Sequence, residues 1–350
     1  MSVVKLDRGI ILALVAAALF GASTPVAKVL LGSLDPWLLA GLLYLGSGLG
    51  LGAMRLLRRR GEEASLRRAD LPWLAAVIAF GGVVGPILLM YGLRATEAAS
   101  ASFLLNLEGV FTVVIAWTLF RENVDWSVGI GAAAILAGAA LLSWQPGSAS
   151  GIGWGALAIA GACLCWAIDN NLTRKLSAAD PIEIAMTKGL AAGAIDVAIA
   201  LSFGAEVSIS PALPIGALVG FLGYGVSLVC FVLALRHLGT ARTGAYFSLA
   251  PFIGAGIAIA FLGEAVTLRF GVAAGLMSLG LWLHLRERHE HEHVHEAIEH
   301  THRHRHDAHH QHEHAPADPP GEPHSHPHRH IRLVHSHPHY PDLHHRHTHP

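Results

Sequence analysis

Apolar runs of bilayer-spanning length, divided by short breaks, dominate this chain and leave it little choice of solvent. A helix crossing the ~30 Å hydrocarbon core needs about 20 largely apolar residues at 1.5 Å rise each. Such runs occupy residues 9–31, 36–56, 72–93, 97–120, 126–144, 152–173, 182–203, 212–235, 240–262 and 269–285, about ten in all. Asp35-Pro36, Gln145-Pro146-Gly147, Asp180-Pro181 and Ser210-Pro211 are breakers between them. The first run reads as a span rather than a removable address, because no small-residue cleavage site and soluble domain follow it. In lipid every backbone polar group needs an internal partner, and runs of this length satisfy it as helices rather than as barrel strands. The expected fold class is therefore an all-α membrane protein of about ten transmembrane helices.

Charge supports this and gives a direction. Only 14% of residues are charged, against about 25% in soluble domains, and a net charge of −1 offers no global field for nucleic acid. With the N-terminus inside, the connections facing the cytoplasm hold Arg58, Arg59, Arg60, Arg67 and Arg68, then Arg121, then Arg174 and Lys175, then Arg236 and Arg242. Residues 145–150 and 204–210 on the other side carry no Lys or Arg. The positive-inside rule then puts both termini in the cytoplasm of a bacterial-type inner membrane. Cys163, Cys165 and Cys230 fall in apolar runs and read as small core residues, not as a disulfide framework or thiolate site.

The chain repeats itself. Leu93-Arg94 and Leu235-Arg236 precede small-residue spans that end in Leu119-Phe120-Arg121-Glu122 and Phe261-Leu262-Gly263-Glu264. Gly129 and Gly138 match Gly271 and Gly280 at the same constant offset. Asp35-Pro36 parallels Asp180-Pro181, and residues 20–28 parallel residues 166–174. The expected organisation is a first five-helix repeat over 1–146, a second over 147–286 and a tail over 287–350. Five is odd, so the second half enters the membrane inverted, and a substrate site belongs where the halves meet.

On these residues the chain resembles the drug/metabolite transporter superfamily, in its EamA branch. The resemblance rests on Phe20-Gly21-Ala22-Ser23-Thr24-Pro25-Val26-Ala27-Lys28, on Leu107-Glu108-Gly109-Val110-Phe111 leading to Glu122, and on Leu249-Ala250-Pro251-Phe252 leading to Gly263-Glu264. The family usually has proline at the position of Gly109. The resemblance implies inverted repeats around a central alternating-access cavity, with Thr24 and Lys28 among the path candidates, and it implies no particular substrate.

Polar groups at depth point to the path, because an ionisable side chain costs about 2.5–3.5 kcal/mol on insertion scales. Glu108 lies near the middle of the fourth span, Lys188 and Asp196 in the seventh, and Asp169, Asn170 and Asn171 toward one end of the sixth. One reading has Glu108 or Asp196 binding a cation or relaying protons; the other has Lys188 neutralising Asp169 or Asp196 as a structural pair. Tyr224 and Tyr246 are candidates for a cavity wall. Glu122 and Glu264 read as solvated helix ends. Pairs such as Gly48/Gly52, Gly81/Gly85, Gly189/Gly193, Gly216/Gly220 and Gly271/Gly275 read as packing sites.

Of the 25 histidines, only His237 and His284 precede residue 289. The tail alternates: His289, His291, His293 and His295; His300, His302, His304 and His306; His324, His326, His328 and His330; His335, His337 and His339. Imidazole, with a pKa of about 6.5, is free to ligate at neutral pH, and such tracts suit exchangeable Zn²⁺, Ni²⁺, Co²⁺ or Cu²⁺. Pro316, Pro319, Pro320 and Pro323 argue for a disordered, multi-site tail. No cofactor is required, and no nucleophile–base set or phosphate loop suggests an enzyme. Three functions follow: a secondary carrier of divalent transition metal with the tail as collector or sensor; a carrier of a small organic metabolite or drug with the tail as buffer; and a non-transporting, membrane-anchored metal store. The expected partners are membrane lipid and a small-molecule or metal-ion substrate, without nucleic acid.

Overall fold

The computed structural model describes residues 8–57, 66–119, 126–145, 151–173, 176, 180–238 and 240–286, and in the tail 289–295, 299–304, 324–329 and 333–339. All ten expected spans are helical. They are α1 (Arg8–Leu30); α2 (Pro36–Leu57); a third span of α3 (Leu71–Val77), a π-helical turn (Ile78–Val84) and α4 (Gly85–Arg94); a fourth of α5 (Ala98–Leu104) and α6 (Leu107–Leu119); and α7 (Trp126–Ser143). The second half supplies α8 (Trp154–Thr173); α9 (Pro181–Ser202); an eighth span of α10 (Ala212–Gly220), a π-helical turn (Phe221–Val226) and α11 (Ser227–Leu238); a ninth of α12 (Thr240–Phe247) and α13 (Ala250–Leu262); and α14 (Leu268–Arg286). Eight spans are long, apolar helical runs, and the last two are carried by the shorter Ala250–Leu262 and Leu268–Leu283.

The repeated Asp-Pro pairs start equivalent helices. The Asp35 carboxylate accepts the N–H groups of Trp37 and Leu38 at 2.9 and 3.3 Å, and Asp180 accepts that of Ile182 at 2.9 Å. Each aspartate satisfies orphan donors of the first turn, while proline, lacking an N–H, takes the first helical position without loss.

The packing obeys a two-fold exchange of the halves. α2 lies on α9, α7 on α14 and α5 on α13; α4 on α8 matches α11 on α1, and α6 on α8 matches α13 on α1. Interruptions recur at equivalent positions, within one residue of the repeat offset. The two π-helical turns correspond, and the break at Leu105-Asn106 corresponds to that at Ser248-Leu249. Gly109 therefore does not abolish the interruption that Pro251 marks in the other half. Pro86 and Pro251 begin helices after interruptions, whereas Pro25 lies within an unbroken α1.

Backbones approach most closely along α2 and α9. A Cβ added at Gly189 would fall 2.7 Å from the Gly48 nitrogen, and one at Gly193 2.5 Å from the Leu45 nitrogen. Without a hydrophobic drive between helices in lipid, such approach is what holds them. At the expected Gly271/Gly275 pair, an added Cβ would meet no atom of the described residues within 4 Å. α14 instead meets α7 through Ala273, Met277 and Gly280, a face at helical spacing from which residues 271 and 275 are rotated. Large apolar side chains such as Leu49, Leu218, Phe261 and Trp282 are exposed, as are Trp117, Trp126, Trp144 and Trp154 near span ends. A lipid solvent and its interfaces accept both groups.

In the tail, β1 (His289–His295) pairs antiparallel with β4 (Leu333–His339), and β2 (Glu299–His304) with β3 (His324–Arg329). The period-two alternation of histidine is the period of a strand. Two-stranded ladders are marginal by themselves, and what is described here is the strand pairing alone. The register sets His289 opposite His339, His291 opposite His337 and His293 opposite His335, and likewise His300, His302 and His304 opposite His328, His326 and His324.

Gly189→Leu and Gly275→Leu make a matched test of this packing. Overpacking at α2–α9 should cost about 1–3 kcal/mol or more, read as a lower melting temperature in detergent. The leucine at 275 meets open space and should leave melting unchanged; equal losses would contradict the arrangement.

Candidate functional site

A π-helical turn widens the helix and leaves carbonyls without their usual donors, which is why such turns gather at functional sites. In the third span, the Gly81 carbonyl accepts the Tyr44 hydroxyl of α2 at 2.6 Å and the Trp166 indole N–H of α8 at 3.1 Å. Gly81 also makes room for Asp169, whose carboxylate occupies the volume a Cβ would need. Glycine is required there by that close approach.

Around this node the sixth span brings its polar end. Asp169, 5% exposed, accepts the Thr173 hydroxyl at 3.1 Å and the Lys188 ammonium of α9. Glu108 stands in the first turn of α6, just past the break at Leu105-Asn106, where the helix N-terminus favours an anion. Its carboxylate accepts the Asn170 amide of α8 at 2.7 Å. Glu108 is half-buried and Asn170 exposed, so the cluster reaches the molecular surface at that end. Four sequence candidates from three spans of both halves thus meet: Glu108, Asp169, Asn170 and Lys188.

An aromatic row leads away from them. Tyr224, in the second π-helical turn, lies 5.5 Å from the Tyr44 ring and 5.8 Å from Phe20. Phe20 meets Phe247 at 5.5 Å, and Phe247 meets Phe231 at 4.8 Å. Of the two tyrosines expected at a cavity wall, Tyr224 stands in this row and Tyr246 is half-buried on α12.

Other candidates stand elsewhere. Thr24 is buried in α1. Asn171 donates to the Ala167 carbonyl of its own helix at 2.8 Å. Asp196 is buried in α9, two turns beyond Lys188, and no described donor reaches either carboxylate oxygen. Lys28 donates to the carbonyls of Leu93 and Thr96 at 2.7 Å and of Arg94 at 3.3 Å, so its charge sits at the C-terminal end of α4. His306 and His330 lie outside the described residues, and the other tail histidines are described by backbone alone. Among the described residues, no three His, Cys, Asp or Glu side chains converge as a metal cage.

Glu264 does not behave as the solvated helix end expected of it. Gly263 closes α13 with φ 68°, and the two Glu264 carboxylate oxygens accept the N–H groups of Ala98 and Ala99, each at 2.7 Å, at the start of α5. Arg269 donates in the same way to the carbonyls of Leu141, Leu142 and Trp144 at the end of α7. Both join the second half to helix ends of the first, and each puts the favourable sign of charge on its helix dipole. Glu122, the repeat counterpart of Glu264, lies outside the described residues. Reading from sequence missed Tyr44, Trp166, Glu264 and Arg269. The usable signals were an internal glycine pair in the third span and charged residues bordering the breaks.

Comparison with known proteins agrees with this architecture. The chain is 28% identical over 293 residues to an uncharacterized transporter of Methanothermobacter thermautotrophicus, covering 79% of this chain and 85% of that protein. It superimposes on a protein of known crystal structure with a TM-score of 0.61 at 18% identity, covering 80% of this chain and 99% of the other, a likeness of fold. Residues 7–144 and 153–286 each match the EamA-like transporter family. The chain belongs to that family of membrane transporters.

Proposed function

We propose that this chain is a secondary carrier of a small organic solute bearing both charges, with the histidine tail as an exchangeable metal-binding regulator rather than a source of cargo. The observation that carries this reading is the meeting of Glu108 and Asn170 with the Asp169–Lys188 pair beside the Tyr44–Tyr224–Phe20 row. A carboxylate, an ammonium and aromatic faces within one cluster complement an ammonium, a carboxylate and an apolar body. A doubly charged metal ion would instead meet the Lys188 ammonium already seated on Asp169, a like-charge neighbour that disfavours it. The chain has no catalytic duty in this scheme. The Lys and Arg bias of the connections supports a multi-pass protein of a bacterial-type inner membrane with both termini cytoplasmic, and the end held by Lys28, Glu264 and Arg269 is then the outer one.

A second reading makes a divalent transition metal the cargo and the tail its collector. It is favoured by the tail register, which sets histidine opposite histidine at alternate positions of both ladders. Proteoliposomes given labelled L-amino acids in one series and Ni²⁺, Co²⁺, Zn²⁺ and Cu²⁺ in another separate the two. Exchange of amino acid that persists within about twofold when residues 289–350 are deleted supports the organic carrier. Metal movement that disappears with the tail transfers the assignment to the second reading. Full-length protein should bind these metals at neutral pH and lose them steeply below about pH 6, because protonated imidazole has no free ligating nitrogen.

The buried pair gives a sharper check. Asp169→Asn or Lys188→Met alone leaves its partner uncompensated, a loss of about 3–5 kcal/mol for a buried pair, with part of the charge screened at half-buried Lys188. The double variant should recover the parental melting temperature while solute exchange stays at least tenfold down. Recovery of exchange together with stability would reduce the pair to a structural element.

A further inference from the structure

Asp196 is the acidic group of the membrane body that the cluster above leaves unused. Relative exposure of the residue is 0%, and neither carboxylate oxygen meets a donor among the described residues. The other carboxylates at depth are engaged: Asp169 with Thr173 and Lys188, Glu108 with Asn170. The position is set by packing. Ala192, Asp196 and Ala200 recur at every fourth residue on the buried face of α9 that begins with Lys188. The close approach of Gly189 to Gly48 and of Gly193 to Leu45 holds this stretch of α9 against the stretch of α2 that carries Tyr44.

The surroundings offer Asp196 no fixed counter-charge. From α2, Tyr44 lies within electrostatic reach of Asp196, Asp169 and Tyr224, and its hydroxyl proton is given to the Gly81 carbonyl. The π-helical turn Ile78–Val84 carries no ionisable side chain, and neither does α3, which meets α9 near Ile184 through Leu74 and Val77. α11 brings Cys230, Arg236 and His237, and it packs near Ala185 and Met186 through Val229 and Leu233, at the opposite end of α9. Among the described residues, the cations at the α2–α9 contact are Lys188, two turns away and bound to Asp169, and Arg55, paired with Glu183 at the far start of α9 at 3.5 Å. An acidic side chain at membrane depth without a described donor or fixed cation is the kind of group that proton relays in membrane carriers employ.

We propose that Asp196 is the coupling-ion site of the carrier, binding one proton from water on one side of the membrane and releasing it to the other in step with solute movement. The step is a protonation alone: a carboxylate oxygen gains a proton to form the carboxylic acid, and gives it back to water when the bundle opens to the opposite face. This rests on the carrier reading. It goes beyond that reading in naming the driving ion and in setting Asp196, not Glu108, as the group that takes it.

Two measurements on the full chain test it. Dicyclohexylcarbodiimide adds to protonated carboxyl groups in apolar surroundings, so mass spectrometry should find an adduct on Asp196 that declines as pH is raised from 5 to 9. In proteoliposomes with labelled L-amino acids, the ratio of pH-gradient-driven accumulation to gradient-free exchange should fall at least tenfold in Asp196→Asn, which keeps the shape and removes the titration. Asp196→Glu should restore part of that ratio, an outcome that a packing defect does not produce. Absence of adduct at every pH, or an undiminished ratio in Asp196→Asn, overturns the proposal. Wild-type protein that exchanges no amino acid but still labels at Asp196 removes the solute assignment and upholds the proton site.

Discussion

Hydrocarbon supplies no hydrogen bonds, and this fold is organised by that single lack. A continuous helix meets the demand by itself, but four of the spans here are interrupted, and the turn at Gly81 and several helix ends acquire side-chain partners. The carbonyl of Gly81, in a π-helical turn, is served by Tyr44 and Trp166. The end of α4 is served by Lys28, the start of α5 by Glu264 and the end of α7 by Arg269. Irregular backbone at membrane depth is tolerated where protein groups satisfy it. Most of these bonds join elements remote in sequence, so satisfying the backbone and holding the two halves together are one task.

Small residues make that satisfaction geometrically possible. Tyr44 reaches the Gly81 carbonyl because α2 lies against α9 at backbone contact, through Gly48 and Gly189. Asp169 reaches Lys188 because Gly81 yields the space its carboxylate fills. The same economy fixes which polar groups are left over. With α9 pinned by Gly189 and Gly193, the face that carries Lys188 and Asp196 turns inward, and only one of the two acquires a partner.

Much of this was legible in the sequence because its signals are local and periodic. Span lengths, the Asp-Pro starts of α2 and α9, and the duplicated glycine, arginine and glutamate landmarks are all readable along the chain. So was the depth of Glu108, Asp169, Lys188 and Asp196, which follows from position within a span. Pairing was not legible: Lys188 had two possible acidic partners, and choosing Asp169 needs the packing of both α8 and α9 on the π-helical turn of the third span. Nor were the roles of Glu264 and Arg269, since a charged residue beside a break looks solvated until the helix end it faces is known. The mistaken packing role of Gly271 and Gly275 shows the same limit, because glycine spacing does not say which helical face meets a neighbour. The two π-helical turns carry no composition signal beyond paired glycines that also occur in regular helix.

The symmetry of the breaks bears on how such a bundle moves. Each half contains one π-helical turn and one interrupted helix at equivalent positions, so the weakest points of the regular hydrogen-bond ladder lie on the rings and carboxylates that line the centre. A helix changes direction at least cost where its ladder is already open, and here those places are Gly81, Tyr224 and the segment leading to Glu108. These places carry members of the aromatic row and the acidic cluster, while the α7–α14 packing, built on Gly138, Met277 and Gly280, contains no such opening. The pair α7 and α14 is thereby the regular part of the bundle, set beside spans whose ladders are open, a division that follows from the backbone rather than from any single side chain.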